Sequence, residues 1–443
     1  MARRRIDLLV HDAAQVVTVD AGGPGPARGA AAMNDLRVVE GGAVAVGRGR
    51  VVAVGPSEAL AEAFAPRTRL DAAGCAVLPG FVDAHTHPVF ARWRDDEFAR
   101  RCRGETYEQI LAAGGGILAS AKVLGATAVD VLVEHLRRVF DHVLLHGTTT
   151  LEAKSGYGLS TEAELKSLQA LRLAAEGAPI SVVPTFLGAH AVPAEHAHDR
   201  AGYVREVVRE MIPLVARGRL ATFCDVFCER GAFTPRETAT ILRAAARHGL
   251  RGKVHADEFG DSGGAALAAR LRATSAEHLG GTGPAGIRAM ARAGVVPVLL
   301  PTTSVFLRLE RKPAARAMVE AGCPVALATD FNPGSSPTAN LALTAALGVT
   351  MLGLTPEEVV TAVTRNAAAA VGASARAGRI AVGRPADLVV LDAPSYVHLS
   401  YRMGTNLVRD VVRGGEVVVR DARRTPAREG GRGPRPGTRT RAR

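Results

Sequence analysis

Two imidazoles spaced two apart, His85-Thr86-His87, close the apolar run FVDAHTHPVF and carry the clearest chemistry in this 443-residue chain. Side chains along an extended strand alternate faces, so both rings point the same way and can reach one metal ion. Taken alone, such a pair is better explained by two histidines satisfied through local hydrogen bonds. The pattern elsewhere shifts the balance. His190, His255, His278 and Asp330 each close a later apolar run, and Asp257 and Glu258 directly follow the run that carries His255. Three imidazoles and one carboxylate suit Zn²⁺ or a similar ion such as Fe²⁺, with a position left for water. An ion held this way lowers the pKa of bound water to near ~7, so the expected chemistry is hydrolytic.

Those donors can meet only if the runs that carry them converge. From residue 75 the chain alternates apolar strand patterns with helical ones, and eight strands are expected: CAVLPGFVDAH, TTTLEAKS, SVVPTFLGAH, TFCDVFCE, GKVHADE, ATSAEHL, VVPVLLPT and CPVALATD. The segments between them, such as AELKSLQALRLAAEG and GIRAMARAG, have helical periodicity and end on glycines suited to helix C-caps. Eight strand and helix units predict a (β/α)8 barrel over residues 75–375, with its site where the strands end at the carboxyl face. Pro297 inside the seventh strand opposes that reading, because a central strand needs every donor. Alternating patterns at 6–20 and 41–54, and again in GRIAVGRPADLVVLDAP and VRDVVRGGEVVVRDA, predict a small β-sandwich built from residues 1–74 and 376–420. Between the first strands, AGGPGPARGAAAMND reads as a flexible loop.

The totals narrow the class. The formal charge is +12, and residues 420–443 hold nine arginines against two acids. That Gly/Pro/Arg segment has almost nothing to bury, so residues 421–443 are expected to be disordered. Arginines without interleaved aromatics argue against a nucleic-acid partner. The five scattered cysteines argue for reduced thiols, with Cys224 and Cys228 on one face of a strand as small buried residues. No apolar run is long enough for a bilayer, and MARRRIDLLVHD lacks the apolar core of a secretory signal, so a cytoplasmic location without membrane partners is expected.

The HxH strand with later His, His and Asp resembles the amidohydrolase superfamily. The stretches VDAHTHPVF, ETYEQILAAGGGI, EAKSGYGL, PTFLGAHAVP, HADE, SAEHL and ATDFNPGSSPT are similar, within it, to the ring-opening hydrolases of histidine degradation. The resemblance covers residues from about 75 to about 420. It implies hydrolytic opening of 4-imidazolone-5-propanoate to N-formimidoyl-L-glutamate, with one zinc or iron ion per subunit and a homodimer. His85, His87, His255 and Asp330 match the metal ligands. Glu258, His278 and Asp330 match the catalytic positions, and Arg94, Tyr107, Tyr157, His190, Glu258, Asn332, Gly334 and Ser335 match substrate contacts. Relatives with two ions bridge them through a modified lysine at the end of strand four, but here that end reads CERGAF; Lys154, at the end of strand two, is expected to be structural. Three rival readings are a cyclic-amidine deaminase on the same metal site, a metal-free scaffold, and an accessory nucleic-acid role for the tail.

Overall fold

The computed structural model describes residues 3–106, 109–110 and 113–425, so Tyr107 and the tail beyond residue 425 lie outside the described residues. Eight parallel strands form one sheet in sequence order: Phe81–Asp83, Thr148–Lys154, Ser181–Ala189, Phe223–Cys228, Arg251–Ala256, Ser275–His278, Val296–Leu299 and Ala326–Leu327. Helices pack around them, and their ends follow local chemistry. Thr234 and Glu237 form a reciprocal capping box that starts Pro235–Arg247. Helix Pro284–Ala293 stops at Gly294, whose φ of 75° is the left-handed value that glycine adopts without strain.

The last gap in the barrel is closed by the extensions of the first and eighth strands. Asp330 N–H donates to the His85 carbonyl (3.0 Å), His87 N–H donates to the Phe331 carbonyl (2.8 Å), and Thr86 bridges to Phe331 in parallel. Deeper in the seam the buried Asp83 carboxylate accepts from the Thr329 hydroxyl (2.6 Å) and backbone N–H (3.1 Å). The sequence around His85 thus continues the strand past Asp83 because a partner edge is waiting for its backbone groups.

Pro297 stays within the seventh strand. Val296 N–H bonds Thr274 on the sixth-strand side, so the Pro297 nitrogen faces the eighth strand, where pairing begins only at Val298. The missing donor therefore costs no ladder bond.

Both termini build a nine-stranded mixed sheet. The turn at Gly49 meets the turn at Gly414–Gly415, and one apolar cluster draws Val44, Val46 and Val77 together with Leu388, Val390 and Val412. The sheet curls over its own face in this way. Three local expectations change. The apolar run read as one strand divides at Gly80: Ala76–Pro79 joins the terminal sheet and Phe81–Asp83 begins the barrel. The segment read as a flexible loop contains helix Gly29–Asn34, and its carbonyls at Ala21, Gly23 and Gly25 accept from the buried Arg365 and Arg379 guanidinium groups. At the other end Arg423–Arg424 still pairs in the sheet, and Arg424 reaches Asp141 at 2.7 Å, so order extends past residue 421.

No single described helix is long and apolar enough to cross a membrane. The apolar pair Gly116–Ala126 and Val129–Leu145 is bent by 118°, and the second helix buries Leu132, Leu136, Phe140 and Val143 in the core.

The division at Gly80 requires close approach of backbone to Thr149. A Cβ at this position would fall 2.6 Å from Thr149 Cγ2 and 2.9 Å from its Cβ, and a β-branched side chain in a strand has little room to turn away. Gly80→Ala is expected to lower stability by about 1–3 kcal/mol in urea unfolding. An unchanged midpoint would show that the junction between sheet and barrel is loose.

Candidate metal centre and active site

The closing seam carries two ligating positions on one edge and one on the other, and the fifth strand adds a third imidazole from across the barrel. His85 Nε2 lies 3.2 Å from His87 Nε2, which lies 3.3 Å from His255 Nε2. Asp330 Oδ1 stands 3.4 Å from both His85 Nε2 and His87 Nε2. A tetrahedral ion with bonds of about 2.0–2.1 Å sets its ligands roughly 3.3 Å apart. The donor set fits one such ion, and His85, His87 and His255 form one of the groups able to hold it. Burial holds the His85 and His87 rings well below the usual imidazole range, leaving them neutral donors.

Each donor is held from behind. Asp330 divides its oxygens: Oδ2 accepts from the Thr303 hydroxyl (2.6 Å), leaving Oδ1 toward the histidines. Burial raises its carboxyl to about 6, opposed by that hydroxyl bond. His255 Nδ1 lies 3.0 Å from Asp225 Oδ2, which orients the ring and strengthens its other nitrogen as a donor. Asp257, His278 and Asp330 have φ of 52°, 69° and 53°. This left-handed backbone costs about 1–3 kcal/mol per residue for non-glycine side chains. Asp257 itself does not join the donor group. Its carboxylate accepts from Gly264 and Ala265 N–H and from the Thr282 hydroxyl, fixing the turn that follows the fifth strand.

Around this centre stand the other residues singled out from the sequence. Glu258 Oε1 is 3.7 Å from His278 Nδ1. Burial, then the Asp330 and Glu229 carboxylates, raise Glu258 well above the ordinary carboxyl range, while burial lowers His278 well below its own. His190 stacks on His87 at 5.2 Å and its Nδ1 meets the Gly156 carbonyl at 2.9 Å, which makes that nitrogen the donor. Burial takes it to about 3, so the ring is neutral. Tyr157 is buried 5.4 Å from His190. Asn332 Oδ1 accepts from Gly334 and Ser335 N–H, both 2.8 Å, and shapes the loop after Asp330. Arg94 lies against Gly334, where a Cβ would sit 2.9 Å from its Cζ, and it donates twice to Glu97 Oε2. Trp93 turns outward and packs on Phe90 and Phe331, so it does not displace Arg94 from the loop.

The description "Amidohydrolase family" applies to residues 76–418. An imidazolonepropionase of Geobacillus sp. (strain WCH70) is 47% identical over 420 residues, covering 94% of this chain and 99% of its own. Another from Symbiobacterium thermophilum is 47% identical, covering 94% and 98%. The chain belongs to the amidohydrolase family. Its fold is shared with a zinc-bound adenosine deaminase of Xanthomonas campestris (TM-score 0.72, 20% identity, 96% of each chain). It is shared also with a zinc-complexed atrazine chlorohydrolase of Arthrobacter aurescens TC1 (TM-score 0.71, 18% identity, 95% of this chain and 97% of that one).

Beneath the donors this amidohydrolase buries a charged layer that was not singled out from its sequence, apart from Lys154. Lys154 Nζ meets Glu152 Oε1 at 2.7 Å and Asp225 Oδ2 at 2.8 Å. Lys253 Nζ meets the Ala84 carbonyl at 3.1 Å and approaches Glu277 Oε1 at 3.4 Å. Burial alone would lower Lys154, but the Asp225 and Glu152 carboxylates outweigh it and hold the ammonium charged. The two lysines face three carboxylates, of which Glu277 is raised by burial. The available signal was charged residues at period two inside apolar strands, as in LEAK and GKVH. Lys154→Met would leave Glu152 and Asp225 short of a buried partner, and removing one member of a buried pair costs about 3–5 kcal/mol. Urea unfolding of the metal-loaded protein should show that loss. A change under ~1 kcal/mol would mean the layer is balanced without this lysine.

Proposed function

We propose that this amidohydrolase opens the ring of 4-imidazolone-5-propanoate to N-formimidoyl-L-glutamate, a step of histidine breakdown, with one Zn²⁺ or iron ion per subunit of a cytoplasmic homodimer. The observation that carries the reading is the convergence of His85, His87 and His255, with Asp330 Oδ1 3.4 Å from the first two, beside a Glu258–His278 pair, in a chain 47% identical to an imidazolonepropionase over nearly its whole length.

His85, His87, His255 and Asp330 would hold the ion, which when bound supplies a Lewis acid and an acidified water. The ring carbonyl is a lactam, and water must add to its carbon before the C–N bond breaks. His278, kept neutral by burial, has an N–H to polarise that carbonyl and steady the oxyanion. Glu258 takes the proton released by the attacking water and delivers it to the departing ring nitrogen, since its burial raises its affinity for a proton in transit. His190 and Tyr157 line the side of the pocket against His87, suited to the ring edges of a small planar substrate. The carboxylate of the substrate lies toward Arg94, with backbone groups of Gly334 and Ser335 beside it.

Purified, metal-loaded protein should abolish the ultraviolet absorbance of freshly generated imidazolone propionate without releasing ammonia; ammonia release with the ring kept closed would favour the deaminase reading. Glu258→Gln is expected to lower kcat by ~10²–10⁴ with metal retained. Because the Glu258 carboxyl is raised and must be ionised to accept a proton, wild-type kcat/KM should fall as pH drops through a pKa above the ordinary ~4.3. Near-normal turnover by Glu258→Gln, together with an Asp330→Asn variant that keeps its metal yet loses activity, would pass the proton role to Asp330.

A further inference from the structure

Arg94 is not the sole guanidinium group at Gly334. Arg101, two turns further along helix Asp95–Cys102, donates through Nη2 to the Gly334 carbonyl at 3.0 Å and lies over the Phe306 ring at 5.2 Å. These are its partners among the described residues, and no carboxylate pairs with it there. Arg94, by contrast, has its Nε and Nη2 on Glu97 Oε2 at 2.9 and 2.6 Å, and Glu97 is fixed in turn by Gly116 N–H on its other oxygen.

We propose that Arg101 is a substrate-binding residue that supplies the second cation for the carboxylate of the substrate, sharing that anion with Arg94 across Gly334. The proposal rests on the functional reading above, because the propionate provides the anion. Geometry supports it. Both guanidinium groups touch one glycine that has no side chain to block the space between them, and a Cβ on Gly334 would overlap Arg94. A planar fork exchanges a single carbonyl bond for a charge-assisted pair when a carboxylate arrives. Burial and the Arg94 charge both pull Arg101 below its ordinary range, a cost that a bound anion relieves. The stacking on Phe306 holds the group in place before the anion binds.

Arg101→Met keeps the side-chain stem on Phe306 and removes the charge. With imidazolone propionate it should raise KM by about 10- to 100-fold at near-constant kcat, the scale of one charge-assisted bond. Arg101→Lys should recover part of the loss, and with the propionamide analogue wild type and Arg101→Met should be alike. Equal impairment with both substrates would assign Arg101 a structural role, and an unchanged KM would remove it from the subsite; either overturns the proposal. Fluorescence of Trp93, the chain's single tryptophan and the neighbour of Arg94, follows binding without turnover. Wild type should bind unreactive imidazole propionate more tightly than its amide, and Arg101→Met should lose that preference. If wild type fails to open imidazolone propionate, the functional reading falls, and this titration still decides Arg101: no preference for the acid in wild type contradicts it.

Discussion

The backbone bond from Asp330 to His85 joins the two edges of an otherwise open eight-stranded sheet, and both residues contribute a donor to the candidate metal site. Closing the barrel and gathering the donors are therefore the same event. A barrel has no free edges once closed, and here the last edge closes at the rim where the chemistry sits. Asp330 has left-handed backbone, and Thr303 fixes which of its oxygens faces the imidazoles. Strain there persists because the seam bonds over-determine the conformation.

Electrostatics follow from the same seam. Four converging donors with no side-chain cation among them leave lone pairs and a carboxylate pointed at one spot, an arrangement that a positive ion resolves. Asp225 couples the charged layer below to the His255 ring, accepting from Lys154 on one side and facing His255 Nδ1 on the other. Burial shifts Asp330 up and His85 and His87 down, so both rings are neutral and present lone pairs to an ion.

Much of this is legible in the sequence because polar residues at the ends of apolar strands stand out. His85, His87, His190, His255, His278 and Asp330 all fall there and all come together around one opening, and the glycine that closes GIRAMARAG marks the helix stop found at Gly294. What stayed hidden did so for definable reasons. Asp225 sits inside FCDVFC, where the two thiols draw attention and alternation buries the carboxylate on the opposite face. Thr303 comes from the short helix Pro301–Phe306 and has no distinctive chemistry until Asp330 is placed beside it. Glu97 and Arg101 lie in a run of charges, RWRDDEFARR, that reads as a solvated helix face; only the approach of Gly334 separates its inward residues from Arg92 and Asp96, which pair at the surface. The break at Gly80 escaped because both halves of that run are equally apolar, and only sheet pairing tells them apart.

The account stands on one cation held at the seam. Anomalous diffraction from crystals of the zinc- or iron-loaded protein tests this most directly. One peak within bonding distance of His85 Nε2, His87 Nε2, His255 Nε2 and Asp330 is the result expected; no peak among these four donors, or two ions of equal occupancy there, would contradict it.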